Sequence, residues 1–130
     1  MNRLLILPVL LLTLLVGTPA SSADFQKGLT AYKSGDYATA LREWKPLAEQ
    51  GNASAQFQIG WMYYKGQGVP QNKKTAVKWI TLAAEQGDAK SQYNLGVMYA
   101  RGRGVPQDNV YAHMWGNLAA SNGNEGGGKL

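Results

Sequence analysis

Apolar and small side chains recur along this chain at helical steps, and the recurrence is itself copied. Gln56, Ile59, Gly60 and Tyr63 fall three and four positions apart, as do Ala76, Ile80, Ala83 and Ala84, the spacing that lines up one face of an α-helix. A shift of thirty-six positions carries Gln56 onto Gln92, Gly60 onto Gly96, Met62 onto Met98, and Tyr63 onto Tyr99. It also carries Ala76 onto Ala112, Trp79 onto Trp115, and Ala83 and Ala84 onto Ala119 and Ala120. A fixed period of this length marks stacked units, each a helix pair that buries its apolar face only against its neighbours. The pattern therefore predicts an all-α chain, an α/α solenoid of about three helix-pair repeats.

The ends of these helices are written in the same period. Asp36, Asn72 and Asp108 each stand four residues before an alanine and can accept from the free N–H groups that open a second helix. Gly51, Gly87 and Gly123 supply a left-handed stop, and Asn52, Asp88 and Asn124 follow them as caps for the next first helix. Glycine also interrupts the first helices, at Gly28, Gly60 and Gly96, although it costs up to about 1 kcal/mol relative to alanine there. A repeated costly choice predicts close approach of the paired helix, in register with Ala40, Ala76 and Ala112. Residues 24–51 spell a shorter first unit: Phe25, Gly28, Tyr32 and Lys33 match Phe57, Gly60, Tyr64 and Lys65 at an offset of thirty-two, with four residues missing from the loop. The complete units are 52–87 and 88–123. The tail, 124–130, holds three consecutive glycines that cannot sustain a further helix, so it is expected to be flexible and to leave a face around Tyr111, Trp115 and Leu118 uncovered.

The N-terminus changes the picture of where the chain works. Arg3, an apolar run from Leu4 to Val16, helix-breaking Gly17 and Pro19, and small residues at Ser21 and Ala23 read as a secretory signal, 1–23, cut after Ala23. The run is short of the roughly 20 residues that span a bilayer, so a periplasmic or secreted protein with no stable membrane insertion is expected. Without Arg3, twelve basic side chains face eight acidic ones, a mild positive balance without the basic block of a nucleic-acid arm; the charge favours acidic partners over nucleic acid.

Candidate chemistry is sparse. Cysteine is absent and His113 is the only histidine, so neither a thiol–imidazole pair nor a histidine metal cluster can be assembled; no catalytic residue, metal or cofactor is expected. His113 takes the place of Val77 in the preceding unit, a packed or half-exposed helix position. The loop Gly66-Gln67-Gly68-Val69-Pro70 and its copy Gly102-Arg103-Gly104-Val105-Pro106 lack the strand-to-helix setting of a phosphate loop and read as wide inter-helix turns.

Together, Ala55-Gln56, Ile59-Gly60, Leu95-Gly96, Met62-Tyr63, Met98-Tyr99, the Gly-x-Gly-Val-Pro-Gln loops and the Ala-x-x-Trp pairs resemble the Sel1-like repeat family, relatives of tetratricopeptide repeats. The resemblance implies a superhelical scaffold or adaptor for a protein or peptide partner, with the first helices lining a concave face. Carried over from the related fold, the ligand-facing positions are Phe25, Leu29, Tyr32 and Lys33; then Phe57, Trp61, Tyr64 and Lys65; then Tyr93, Val97, Ala100 and Arg101. Apolar side chains would seat on Phe57, Trp61 and Tyr93, and acidic groups on the ladder Lys33, Lys65 and Arg101. The family also leaves open a cell-wall or β-lactam-processing enzyme, although this chain lacks the cysteines of such relatives, and a self-associating protein joined through the uncovered C-terminal face.

Overall fold

The computed structural model describes residues 23–130, so the expected secretory signal, 1–23, lies, but for its last residue, outside the described residues. Six helices follow in order: α1 (Phe25–Lys33), α2 (Tyr37–Glu49), α3 (Ala53–Lys65), α4 (Lys73–Glu85), α5 (Ala89–Arg101) and α6 (Asn109–Ser121), with a 3₁₀ turn at Gly127–Lys129. Each helix packs chiefly on its sequence neighbours, so α1/α2, α3/α4 and α5/α6 are hairpins that stack through the α2–α3 and α4–α5 contacts. This is an α/α solenoid. Among the described residues no helix is long and apolar enough to cross a membrane.

Short polar side chains start each helix as the pattern predicts. Asp36, Asn52, Asn72, Asp88 and Asp108 all accept backbone N–H groups of the first turn, at 2.8–3.1 Å. Asp24 does the same for α1, accepting from the amides of Gln26 and Lys27. The second helices run into Gly51, Gly87 and Gly123 at φ of +94°, +92° and +95°, the left-handed region that only glycine enters without strain.

The core lies between successive hairpins. Trp44, Ala48, Ala55, Ile59 and Met62 fill the first interface, and Ile80, Ala83, Ala84, Leu95 and Met98 the second. The helix glycines sit where the paired second helix comes closest. A Cβ on Gly60 would stand 2.7 Å from Cγ1 of Ile80 and 3.1 Å from the Ala76 carbonyl oxygen; on Gly28 it would enter the indole of Trp44. Trp44 and Ile80 are the same position of the repeat, thirty-six residues apart, so each glycine opens a slot for one large second-helix side chain. The Trp44 indole N–H donates to the Phe25 carbonyl at 3.0 Å, which keeps its polar edge satisfied inside that slot.

The third slot corrects the expectation of a loose tail. Thirty-six residues after Ile80 stands Gly116, which has no side chain to offer, and the slot over Gly96 is filled by Leu130 instead. A Cβ on Gly96 would lie 2.6 Å from Cδ1 of Leu130, and one on Gly116 would lie 2.5 Å from the Gly127 carbonyl oxygen. The glycines that forbid a regular helix thus allow the 3₁₀ turn to lie flat on α6, with Gly127 buried. Trp115 joins the core, and Tyr111 stacks on Tyr99 with ring centroids 5.1 Å apart. Tyr111 nonetheless stays exposed, as expected, together with Leu118, and Val110 and Met114 extend that uncovered stripe along α6.

Two buried glutamines fasten the units together. Gln56, 4% exposed, donates its side-chain amide to the Ala48 carbonyl at the end of α2 and accepts from Nε2 of Gln86 just beyond α4. Gln92, 3% exposed, repeats the arrangement one unit on, donating to Ala84 and accepting from Nδ2 of Asn122. Each ties the ends of two successive second helices to one first helix. Replacing Gln56 by Leu removes both of its bonds and leaves the Ala48 carbonyl only the Gly51 N–H, and the expected loss in denaturant unfolding is about 1–2 kcal/mol. Gln56→Glu should be worse at pH 7 than at pH 4, because only the protonated acid can donate to that carbonyl; equal stability of both variants and the parent would remove the glutamine from this role.

Candidate functional site

The face opposite the second helices is not filled. Because α1, α3 and α5 touch one another far less than they touch α2, α4 and α6, gaps remain between them. The larger gap, about 320 Å³, runs from Leu29, Tyr32 and Lys33 of α1, past Phe57, Gln58 and Trp61 of α3, to Lys90 and Asn94 of α5. A second, about 240 Å³, lies on the other side of Trp61, walled by Tyr64 of α3, by Tyr93, Val97 and Arg101 of α5, and by Arg103 of the following loop. Trp61 and Asn94 belong to both.

Steps of four and three residues place Phe57, Trp61 and Tyr64 on one face of α3, where the rings lie nearly parallel. Their centroids are 6.1 Å and 5.2 Å apart, with interplanar angles of 13° and 8°. Cations lie over these rings: Nζ of Lys90 at 4.6 Å from Phe57, of Lys65 at 5.1 Å from Trp61 and of Lys73 at 5.6 Å from Tyr64. Neither of the two larger gaps is lined by an Asp, Glu or His. Such a surface can hold an apolar side chain against rings and an anion against guanidinium or ammonium groups.

The residues expected on this face divide in three. Leu29, Tyr32, Lys33, Phe57, Trp61, Tyr64, Tyr93, Val97 and Arg101 all line one of the two larger gaps. Phe25 does not; its ring packs 5.7 Å from that of Trp44 and borders only a small cleft of about 110 Å³. Lys65 lines none of these three hollows, since its ammonium is drawn back over Trp61 on the preceding turn of its own helix. Ala100 likewise lines none of them. Tyr32 serves the scaffold as well as the gap. Burial, and then the neighbouring Tyr37, push its phenol above the usual tyrosine value, so it keeps its proton and donates to Gln67 at 2.7 Å.

With this geometry in place, comparison with known proteins is decisive. The family described as Sel1 repeat matches residues 53–88 and 89–124. The chain belongs to the Sel1 repeat family. A Sel1 repeat protein from Oxalobacter formigenes is similar over 75% of this chain, with 39% identity and a TM-score of 0.72. Another similar structure is c5321, a protective antigen of uropathogenic Escherichia coli with an SLR fold, at 40% identity and a TM-score of 0.72 over 77% of this chain. This chain spans 40% and 22% of the lengths of those two proteins. No curated protein matches. Sel1 repeats are commonly scaffolds for protein–protein interaction.

The Sel1 loops do more than turn the chain. Gln71 and Gln107 donate to the Tyr64 and Ala100 carbonyls that α3 and α5 leave free. The middle residue of each Gly-x-Gly reaches back one unit: Gln67 bridges the hydroxyls of Tyr32 and Tyr37, and Nη1 of Arg103 donates to the hydroxyl of Tyr64 at 2.9 Å. Gly68 and Gly104 permit that approach, since a Cβ on Gly104 would stand 2.5 Å from the Lys73 carbonyl oxygen. Sequence reasoning missed Gln58, Lys90, Asn94 and Arg103. Arg103 had a visible signal, a long polar side chain inside a loop whose unit is preceded by a matched tyrosine; Lys90 had none, since its counterpart in the preceding unit is Ser54. His113, expected to be packed or half-exposed, is exposed on α6.

Proposed function

We propose that this Sel1 repeat chain is an exported adaptor that captures a segment of another protein in the groove formed by α1, α3 and α5. The observation that supports it most is Trp61, a half-buried indole standing between two hollows that together draw their walls from all three units. Aromatic side chains in partly desolvated pockets carry much of the energy of peptide recognition. Acidic groups of the partner would meet Lys33 and Arg101 at the edge of the groove. Export follows from the N-terminal signal and places the partner in the periplasm or outside the cell. The test is capture from an envelope extract by the parent and by Trp61→Ala, with circular dichroism confirming that both keep their helices. The expected loss is about thirtyfold in affinity, or ~2 kcal/mol. A partner held equally by both proteins would move the interaction off this groove.

A second reading, self-association, is favoured by the outer stripe of α6. Val110, Met114 and Leu118 are 80%, 41% and 41% exposed, and the first two replace Lys74 and Lys78 of the preceding unit. Under it, sedimentation at rising micromolar concentrations detects a dimer that Met114→Lys abolishes. Monomer throughout removes it.

A further inference from the structure

The cations on the two larger gaps meet no counter-charge there; Asp88 shares only the small cleft with Lys90. Lys33, Lys90, Arg101 and Arg103 line the two larger gaps, yet no carboxylate lines either. Among the described residues, ion pairing within 4.0 Å is confined to Lys27 and Glu43, on the α1/α2 hairpin. Gathering like charges in a hollow without neutralising them raises the local potential and draws anions to it. The charges are also sorted by Trp61. Lys33 and Lys90, from the first and third units, face the larger gap; Arg101 and Arg103 face the smaller one. Arg103 is held in place by its bond to the Tyr64 hydroxyl, which leaves its other N–H groups for a ligand. Lys65 takes no part, because it lines neither gap.

Building on the groove reading above, we infer that the partner segment is an acidic peptide in which one apolar side chain is flanked on both sides by carboxylates. The apolar side chain lies against Trp61. One carboxylate meets Lys33 and Lys90, the other meets Arg101 and Arg103, so the site is complete only when all three units are stacked. Charge-assisted bonds of this kind, shared between a fixed guanidinium and a carboxylate, set register as well as affinity.

The probe is a fluorescein-labelled synthetic peptide, Gly-Glu-Glu-Leu-Glu-Glu-Gly, beside its glutamine counterpart, Gly-Gln-Gln-Leu-Gln-Gln-Gly, read by anisotropy with the purified protein. The glutamate peptide is expected to bind at least about tenfold tighter at ~50 mM salt, with the gap narrowing at ~500 mM. The pair Lys33→Gln with Lys90→Gln, and separately the pair Arg101→Gln with Arg103→Gln, should each weaken the glutamate peptide about tenfold and leave the glutamine peptide unchanged. Lys74→Gln with Lys78→Gln, outside the groove, should have no effect. Equal affinity for the two peptides, both lost with Trp61→Ala, overturns the acidic pattern and leaves the groove reading standing. A glutamate preference that ignores both groove pairs overturns it too, as general surface attraction. Binding of neither peptide also overturns it, and the groove is then judged by the extract capture with Trp61→Ala alone.

Discussion

A buried amide has to find partners, and in this chain that requirement sets the spacing of the repeats. Gln56 sits among Ala48, Ala55 and Ile59 with almost no access to water, so its N–H and C=O must be met by protein. They are met by the end of α2 on one side and by Gln86, beyond the end of α4, on the other. Only one stacking of the hairpins satisfies both. Apolar contacts between alanines and leucines would tolerate some sliding; a paired amide in a low-dielectric interface tolerates much less. Gln92 imposes the same condition one unit later, and the solenoid is thereby built from two equal joints.

The groove is a consequence of those joints. Pinning second helices to first helices at one end, and drawing them together at Gly28, Gly60 and Gly96, concentrates the packing on one side of the molecule. The first helices are left apart on the other side. The loops then brace the gap from its edge, through Gln67 on Tyr32 and Arg103 on Tyr64. Rings that line the groove are therefore fixed by their neighbours before any ligand arrives, which lowers the entropy lost on binding. The lysine cations over those rings are long and exposed, and can move aside.

How much of this was legible in the sequence depends on whether a residue acts within its own unit or across units. Helix ends, hairpins and the role of Gly60 follow from periodicity, because the residues concerned lie on one helix or face its immediate partner. The place of Leu130 did not follow, although Gly116 in the position of Trp44 and Ile80 was a visible vacancy; filling it required knowing that the tail could fold back. Gln56 and Gln92 read as members of a helical stripe, and nothing in the stripe reveals that the stripe's polar members join three helices. Lys65 illustrates the reverse case. Its register put it on the concave face, but an indole four residues earlier attracts its ammonium more strongly than an empty hollow does. Arg103 entered the groove from a loop, where no helical register applies.

Site-specific photo-crosslinking in cells tests the proposed location of binding most directly. A photoreactive side chain at Gln58 or Asn94, both polar and on the walls of the groove, should trap the partner as a discrete adduct. The same group at Lys78, exposed on α4 outside those hollows, should trap none. Adducts from Lys78 or Leu118, with none from Gln58 and Asn94, would contradict a groove-binding adaptor and shift the working surface of this Sel1 repeat chain to the second helices.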